Sequence, residues 1–123
     1  MNEGRAREIL EVERAQTLKR LDALVDEFNG IVAASVDANA DDEHDPEGAT
    51  IAFERERTAA LRAQAIVHLG DLDQALTRVT SGSYGTCIVC GHPVGAERLT
   101  VLPITEFCTA CARPPRSPLT SRP

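Results

Sequence analysis

Tryptophan is absent from this chain of 123 residues, tyrosine occurs once, phenylalanine three times and methionine once. So few large side chains argue against a thick globular core and favour an elongated, mainly α protein. Long apolar runs are missing too. None approaches the roughly 20 residues of a membrane-spanning helix, and no stretch resembles a signal peptide, so a cytoplasmic location is expected. Positive charge is scarce, with 13 Lys and Arg against 19 Asp and Glu and a net charge of −6. That balance is poor for gripping phosphates, so direct sequence-specific DNA binding is not expected, although a local basic patch is not excluded by it. No serine or histidine constellation suggests nucleophilic chemistry, and the chain is not expected to be an enzyme.

Cysteine is rare but organised. Cys87-Ile-Val-Cys90 and Cys108-Thr-Ala-Cys111 have seventeen residues between them, a spacing that suits one zinc ion held by four thiolates in a tetrahedron. Each short turn delivers two sulfurs, and Gly91 suits a chain wrapping around a metal. Four protein ligands leave no open position for water or substrate, so the expected zinc is structural. Zinc and four thiolates together add a further −2, taking the metal-loaded chain to −8 from its −6. A redox dithiol would sit beside a βαβ pattern, which neither pair has, and reduced cysteines agree with a cytoplasmic setting.

Two proline-free stretches carry apolar residues at helical spacing. Over residues 5–35 these are Leu18, Leu21, Val25, Phe28 and Val32; over 49–80 they are Leu61, Ala65, Leu69, Leu72, Leu76 and Val79. Alternating steps of three and four, with charge on the other faces, predict two helices paired as an antiparallel coiled-coil hairpin spanning 1–81. Such a hairpin is self-contained, and a monomer is expected. Gly30 lies inside the first helix and costs up to about 1 kcal/mol relative to alanine. A small zinc finger over 82–112 and a flexible Pro/Arg tail over 113–123 complete the expected organisation, since the last twelve residues hold four prolines.

The connection at 36–47 is expected to form an acidic tip. Asp37, Asp41, Asp42, Glu43, Asp45 and Glu47 supply six carboxylates from residue 37 onward, with no Lys or Arg among them. Asp45 before Pro46 reads as an N-cap followed by proline at the first helical position, and Glu47 favours a helix N-terminus. That local reading leaves Asp37, Asp41, Asp42 and Glu43 unexplained, and a functional tip is the reading carried forward. His44 and His68 read as an exposed residue and a flank residue.

Hairpin, acidic tip and C-terminal four-cysteine finger, in this order, resemble the DksA/TraR family of bacterial transcription regulators. The most specific part is Tyr84-Gly85-Thr86-Cys87-Ile-Val-Cys90-Gly91, followed by Arg98-Leu99, Pro103 and Cys108-Thr-Ala-Cys111. The resemblance implies a protein that binds RNA polymerase, core or holoenzyme, and inserts its coiled-coil tip into the secondary channel to modulate transcription initiation. In that setting Gly91, Arg98, Leu99 and Pro103 are expected to brace the finger. The tip departs from the family's Asp-x-x-Asp-x-Ala: Asp42 and Asp45 are kept, while Glu47 replaces the alanine. Longer members continue into a C-terminal helix; the proline-rich tail here does not, so contacts of such a helix to polymerase or ppGpp are not carried over.

Two other classes share parts of this pattern. A Gre-like transcript-cleavage factor also has an acidic coiled-coil tip, but with a larger β-rich C-terminal domain than residues 82–112 can form. A zinc-ribbon adaptor would bind DNA or protein through its finger, and its DNA-binding form predicts steeply salt-dependent affinity.

Overall fold

The structure, a computed structural model, describes residues 1–41 and 46–112, with side chains described over 1–34 and 49–112. Its elements are α1 (Glu3–Asp41), α2 (Pro46–Ser81) and α3 (Ala96–Val101). Among the described residues there is no β-strand beyond one isolated antiparallel bridge between Thr86 and Pro93. The architecture is mainly α, a long antiparallel two-helix hairpin followed by a four-cysteine finger. None of the described helices is long and apolar enough to cross a membrane.

The chain divides into two units, Val12–Leu72 and Met1–Glu11 with Asp73–Pro123. Within Val12–Leu72, α1 and α2 run antiparallel. Nε2 of His68 lies 3.0 Å from Glu13 Oε2, and the Thr58 hydroxyl lies 3.5 Å from Glu27 Oε1. The Arg62 guanidinium sits 5.8 Å from the Phe28 ring centre, within reach of a cation–π contact. Within the other unit, Arg7 donates to the Thr80 hydroxyl at 3.2 Å. Here Ala6, Leu10, Ala75 and Val79 are buried.

Buried positions recur every seven residues, as a coiled-coil seam requires. They are Leu10, Thr17 and Leu24 on α1, and Thr58, Ala65, Leu72 and Val79 on α2. The expected stripe on α1 is therefore displaced. Leu18 is 38% exposed while Thr17 is fully buried, and Leu24 is buried where Val25 is half-buried. A one-residue displacement turns the face by about 100°, the angular step of a helix with 3.6 residues per turn. Apolar periodicity favours Leu18, whereas the seam accepts threonine because its methyl packs and its hydroxyl donates to the Glu13 carbonyl one turn back at 2.8 Å. Ala75 joins Thr58 as a buried α2 residue outside the expected stripe, and Leu69 and Leu76 are half-buried.

The helix ends differ from the sequence-based bounds as well. α1 continues through Gly30 to Asp41 and α2 begins at Pro46. No proline interrupts residues 31–41, and alanine occupies four of those positions. Asp37 and Asp41 thus fall within α1, whose last turn holds no basic residue. Glu47 falls within α2. Asp42, Glu43, His44 and Asp45 lie outside the described residues, as does the tail over 113–123.

Candidate metal centre

Where α2 ends, the chain folds back on itself at once. Gly82 N–H donates to Val79 O at 3.3 Å and Ser83 N–H to Arg78 O at 3.0 Å, the paired bonds of a Schellman C-cap. Tyr84 N–H and the Ser81 hydroxyl also donate to Arg78 O, at 3.1 and 3.2 Å. The next turn needs Gly85, at φ +85°, where a Cβ would also stand 3.4 Å from Leu99 Cδ1. Val94 N–H then bonds to Gly85 O at 2.8 Å and Cys87 N–H to His92 O at 2.9 Å, bringing the chain back across the first cysteine pair.

Both Cys-x-x-Cys segments are tight turns. In the first, Gly91 N–H donates to Cys87 O at 2.9 Å, and Gly91 itself adopts φ +77°, a conformation strained for other residues. In the second, Cys111 and Ala112 N–H groups donate to Cys108 O at 3.1 and 2.9 Å. The four sulfurs lie within 4.8 Å of one another, and Cys90 Sγ and Cys108 Sγ are 3.7 Å apart. A tetrahedron of sulfurs about 2.3 Å from a central zinc has edges of about 3.8 Å. The cysteines are free thiols, not disulfides. Among the described residues they are the one group of three or more His, Cys, Asp and Glu side chains that converges in this way.

Thiol acidity tells the same story. Backbone N–H groups of Cys108, Cys90 and Val89 favour the Cys87 thiolate and, against burial, push it down to about 6. Cys111 is pushed up to about 12 by its hydrogen bond with Cys108, by burial, and by Cys87 and Cys90. Cys90 is also raised: the His92 backbone N–H favours its thiolate, but burial and the neighbouring sulfurs outweigh it. A cluster this close admits one thiolate readily and resists the next, because like charges crowd in a partly desolvated space. A dication at the centre removes that conflict. The donor set therefore fits one zinc ion, with Cys87, Cys90, Cys108 and Cys111 as its ligands.

The finger's own core is small. Cys87, Val94 and Leu99 are buried, with Tyr84, Cys108 and Cys111 packed against them. Leu99 reaches it from α3, a helix of six residues too short to show periodicity in the sequence. Arg98, beside it, donates from Nε to Phe107 O at 2.9 Å. Pro103 O accepts the Tyr84 hydroxyl at 2.7 Å, and burial raises the Tyr84 pKa, partly offset by the nearby Arg78 charge. Arg78, Tyr84 and Gly85 carry structural contacts that the sequence reading did not assign. A basic residue in the last turn of α2 was the available signal for Arg78, since cations suit that end of a helix.

Comparison with known proteins comes to the same finger. Residues 82–115 match the prokaryotic dksA/traR C4-type zinc finger. The chain is similar to YteA, an uncharacterized protein of Bacillus subtilis (strain 168), at 38% identity over 65 residues, which is 53% of this chain and 27% of that protein. It is also similar to an uncharacterized protein of Aquifex aeolicus (strain VF5), at 38% identity over 47 residues, 38% of this chain and 32% of the relative. The matched stretch thus spans a third or less of these relatives. In fold, the chain is similar to the transcription factor DksA2 from Pseudomonas aeruginosa, with a TM-score of 0.50, 24% identity, and coverage of 81% of this chain and 77% of that one.

Proposed function

We infer that this chain, which carries a DksA/TraR C4-type zinc finger after a long two-helix hairpin, is a transcription regulator that binds RNA polymerase directly. Its coiled-coil tip enters the secondary channel and modulates initiation, with core enzyme or holoenzyme as the partner. The observation that carries this reading is the joining of a family-matched finger to the DksA2-like hairpin in one chain. The modulating groups are the carboxylates of Asp37, Asp41, Asp42, Glu43, Asp45 and Glu47. In a partly water-excluded channel they meet basic residues or magnesium more strongly than they would at an open surface.

The finger's role is architectural. Zinc, when bound, cross-links the two Cys-x-x-Cys turns and folds the segment between them. Four thiolates close the coordination sphere, so the site offers no position for substrate, and the protein acts without catalysing a reaction of its own. Gly91, Arg98, Leu99 and Pro103 brace the finger through the turn, the Phe107 contact, the buried leucine and the Tyr84 bond described above. The protein works as a monomer in the cytoplasm.

Photo-crosslinking tests this reading. A photoreactive residue in place of Asn39, exposed to core RNA polymerase with the zinc-loaded chain, should label catalytic-subunit segments that line the secondary channel. No crosslink to polymerase at micromolar protein would sink the proposal and turn attention to the finger as the binding element.

A further inference from the structure

Segment Pro103–Phe107, between α3 and the second cysteine pair, makes an unusual set of contacts. Pro103 O accepts the Tyr84 hydroxyl, Ile104 O accepts the Arg78 guanidinium at 3.2 Å, Glu106 O accepts Ile88 N–H at 2.9 Å, and Phe107 O accepts Arg98 Nε. Four of its five carbonyls are therefore used by α2, by the post-helix turn, by the first cysteine turn and by α3. One end of the segment runs directly into Cys108. Its position is thus fixed by the same four-sulfur cluster that the metal would close.

Arg78 stands on the other side of this segment and faces two ways. Its backbone carbonyl is the acceptor of the Schellman cap, taking Ser83 N–H, Tyr84 N–H and the Ser81 hydroxyl. Its side chain, 17% exposed, donates to Ile104 O and lies 3.7 Å from the Glu106 carboxylate. A guanidinium is suited to this because its fork presents several donors in fixed directions, and hydrogen bonds from a charged donor are the stronger kind. A half-buried arginine that lost those acceptors would be left poorly compensated.

We propose that Arg78 is a positioning residue that couples metal occupancy of the four-cysteine site to the order of the C-terminal turn of α2. With the sulfurs gathered, Pro103–Phe107 holds its carbonyls toward Arg78, and the guanidinium anchors the last turn and its cap. With the sulfurs released, the segment loses its anchor at Cys108, and the cap loses the side chain that ties it down. This inference rests on the metal site alone and does not depend on polymerase as the partner.

Amide hydrogen exchange on the full chain, zinc-loaded and zinc-stripped, tests it. In the unmodified chain, zinc removal should speed exchange at the amides of residues 78–84 roughly ten- to a hundredfold, the scale of a charge-assisted hydrogen bond. In Arg78→Gln that zinc-dependent difference should vanish, while amides of the Cys87–Gly91 turn stay zinc-protected. Arg78→Lys keeps the charge toward Glu106 without the fork and should retain part of the difference. An undiminished difference at 78–84 in Arg78→Gln overturns the proposal. So does loss of zinc protection at Cys87–Gly91 in that variant, because Arg78 would then belong to the stability of the metal site and not to a link leading from it.

Discussion

The two units of this protein are held by different physics. In the finger of one unit, buried Val94 and Leu99 and a web of backbone hydrogen bonds surround four thiols that need a cation to coexist. In Val12–Leu72, by contrast, stability is spread along a seam whose buried positions are Thr17, Leu24, Thr58, Ala65 and Leu72. A concentrated site fails all at once when its ion is removed. A distributed seam loses stability by increments, one side chain at a time.

The sharpest way to separate the two is to take away the metal. Cys87→Ser, or a strong chelator, should unfold the finger and reduce zinc content from one ion per chain. Structural zinc sites carry apparent binding energies of about 10–16 kcal/mol, most of it folding energy. Amide exchange should collapse over 85–112 and change little over 12–72; a fully folded finger in Cys87→Ser would contradict this. The seam is broken next most severely at Leu72, which is fully buried. Leu72→Ala should cost about 2–5 kcal/mol, read by urea unfolding at the helical circular dichroism band, with zinc content unchanged.

Smaller effects sharpen the comparison from the other side. Thr58→Val replaces a fully buried hydroxyl, whose partner Glu27 is 3.5 Å away, by a methyl of similar shape. Stability should rise by about 0.5–1 kcal/mol in the same unfolding assay, and a clear loss would show that the hydroxyl is better satisfied than its geometry indicates. Least of all should depend on the Glu13–His68 pair, whose side chains are about one-third exposed. Glu13→Gln should lower stability by less than about 1 kcal/mol in the same unfolding assay.

The same contrast explains what the sequence made legible. Metal ligation depends on a spacing rule that few other structures satisfy, so Cys87, Cys90, Cys108 and Cys111 stand out without any coordinates. Helix existence was equally plain, because more than thirty residues of apolar periodicity leave little room for another reading. Helix rotation was not, since choosing between Thr17 and Leu18 turns on how a hydroxyl is satisfied by the preceding turn, which hydrophobicity does not encode. The roles of Arg78 and Tyr84 were hidden for a related reason. Their partners are main-chain carbonyls of Ile104 and Pro103, and a carbonyl looks the same at every position of a sequence.

Tyr84 has a further use. It is the chain's single tyrosine, and there is no tryptophan; its side chain packs against the small core of Cys87, Val94 and Leu99 while its hydroxyl is tied to Pro103. Tyrosine emission from this protein therefore originates at one address, beside the thiols. The paired helices of Val12–Leu72 are dark in that channel and visible only by their peptide absorbance. Nature has left the molecule with two separable optical signals, one for each kind of stability, with no label attached.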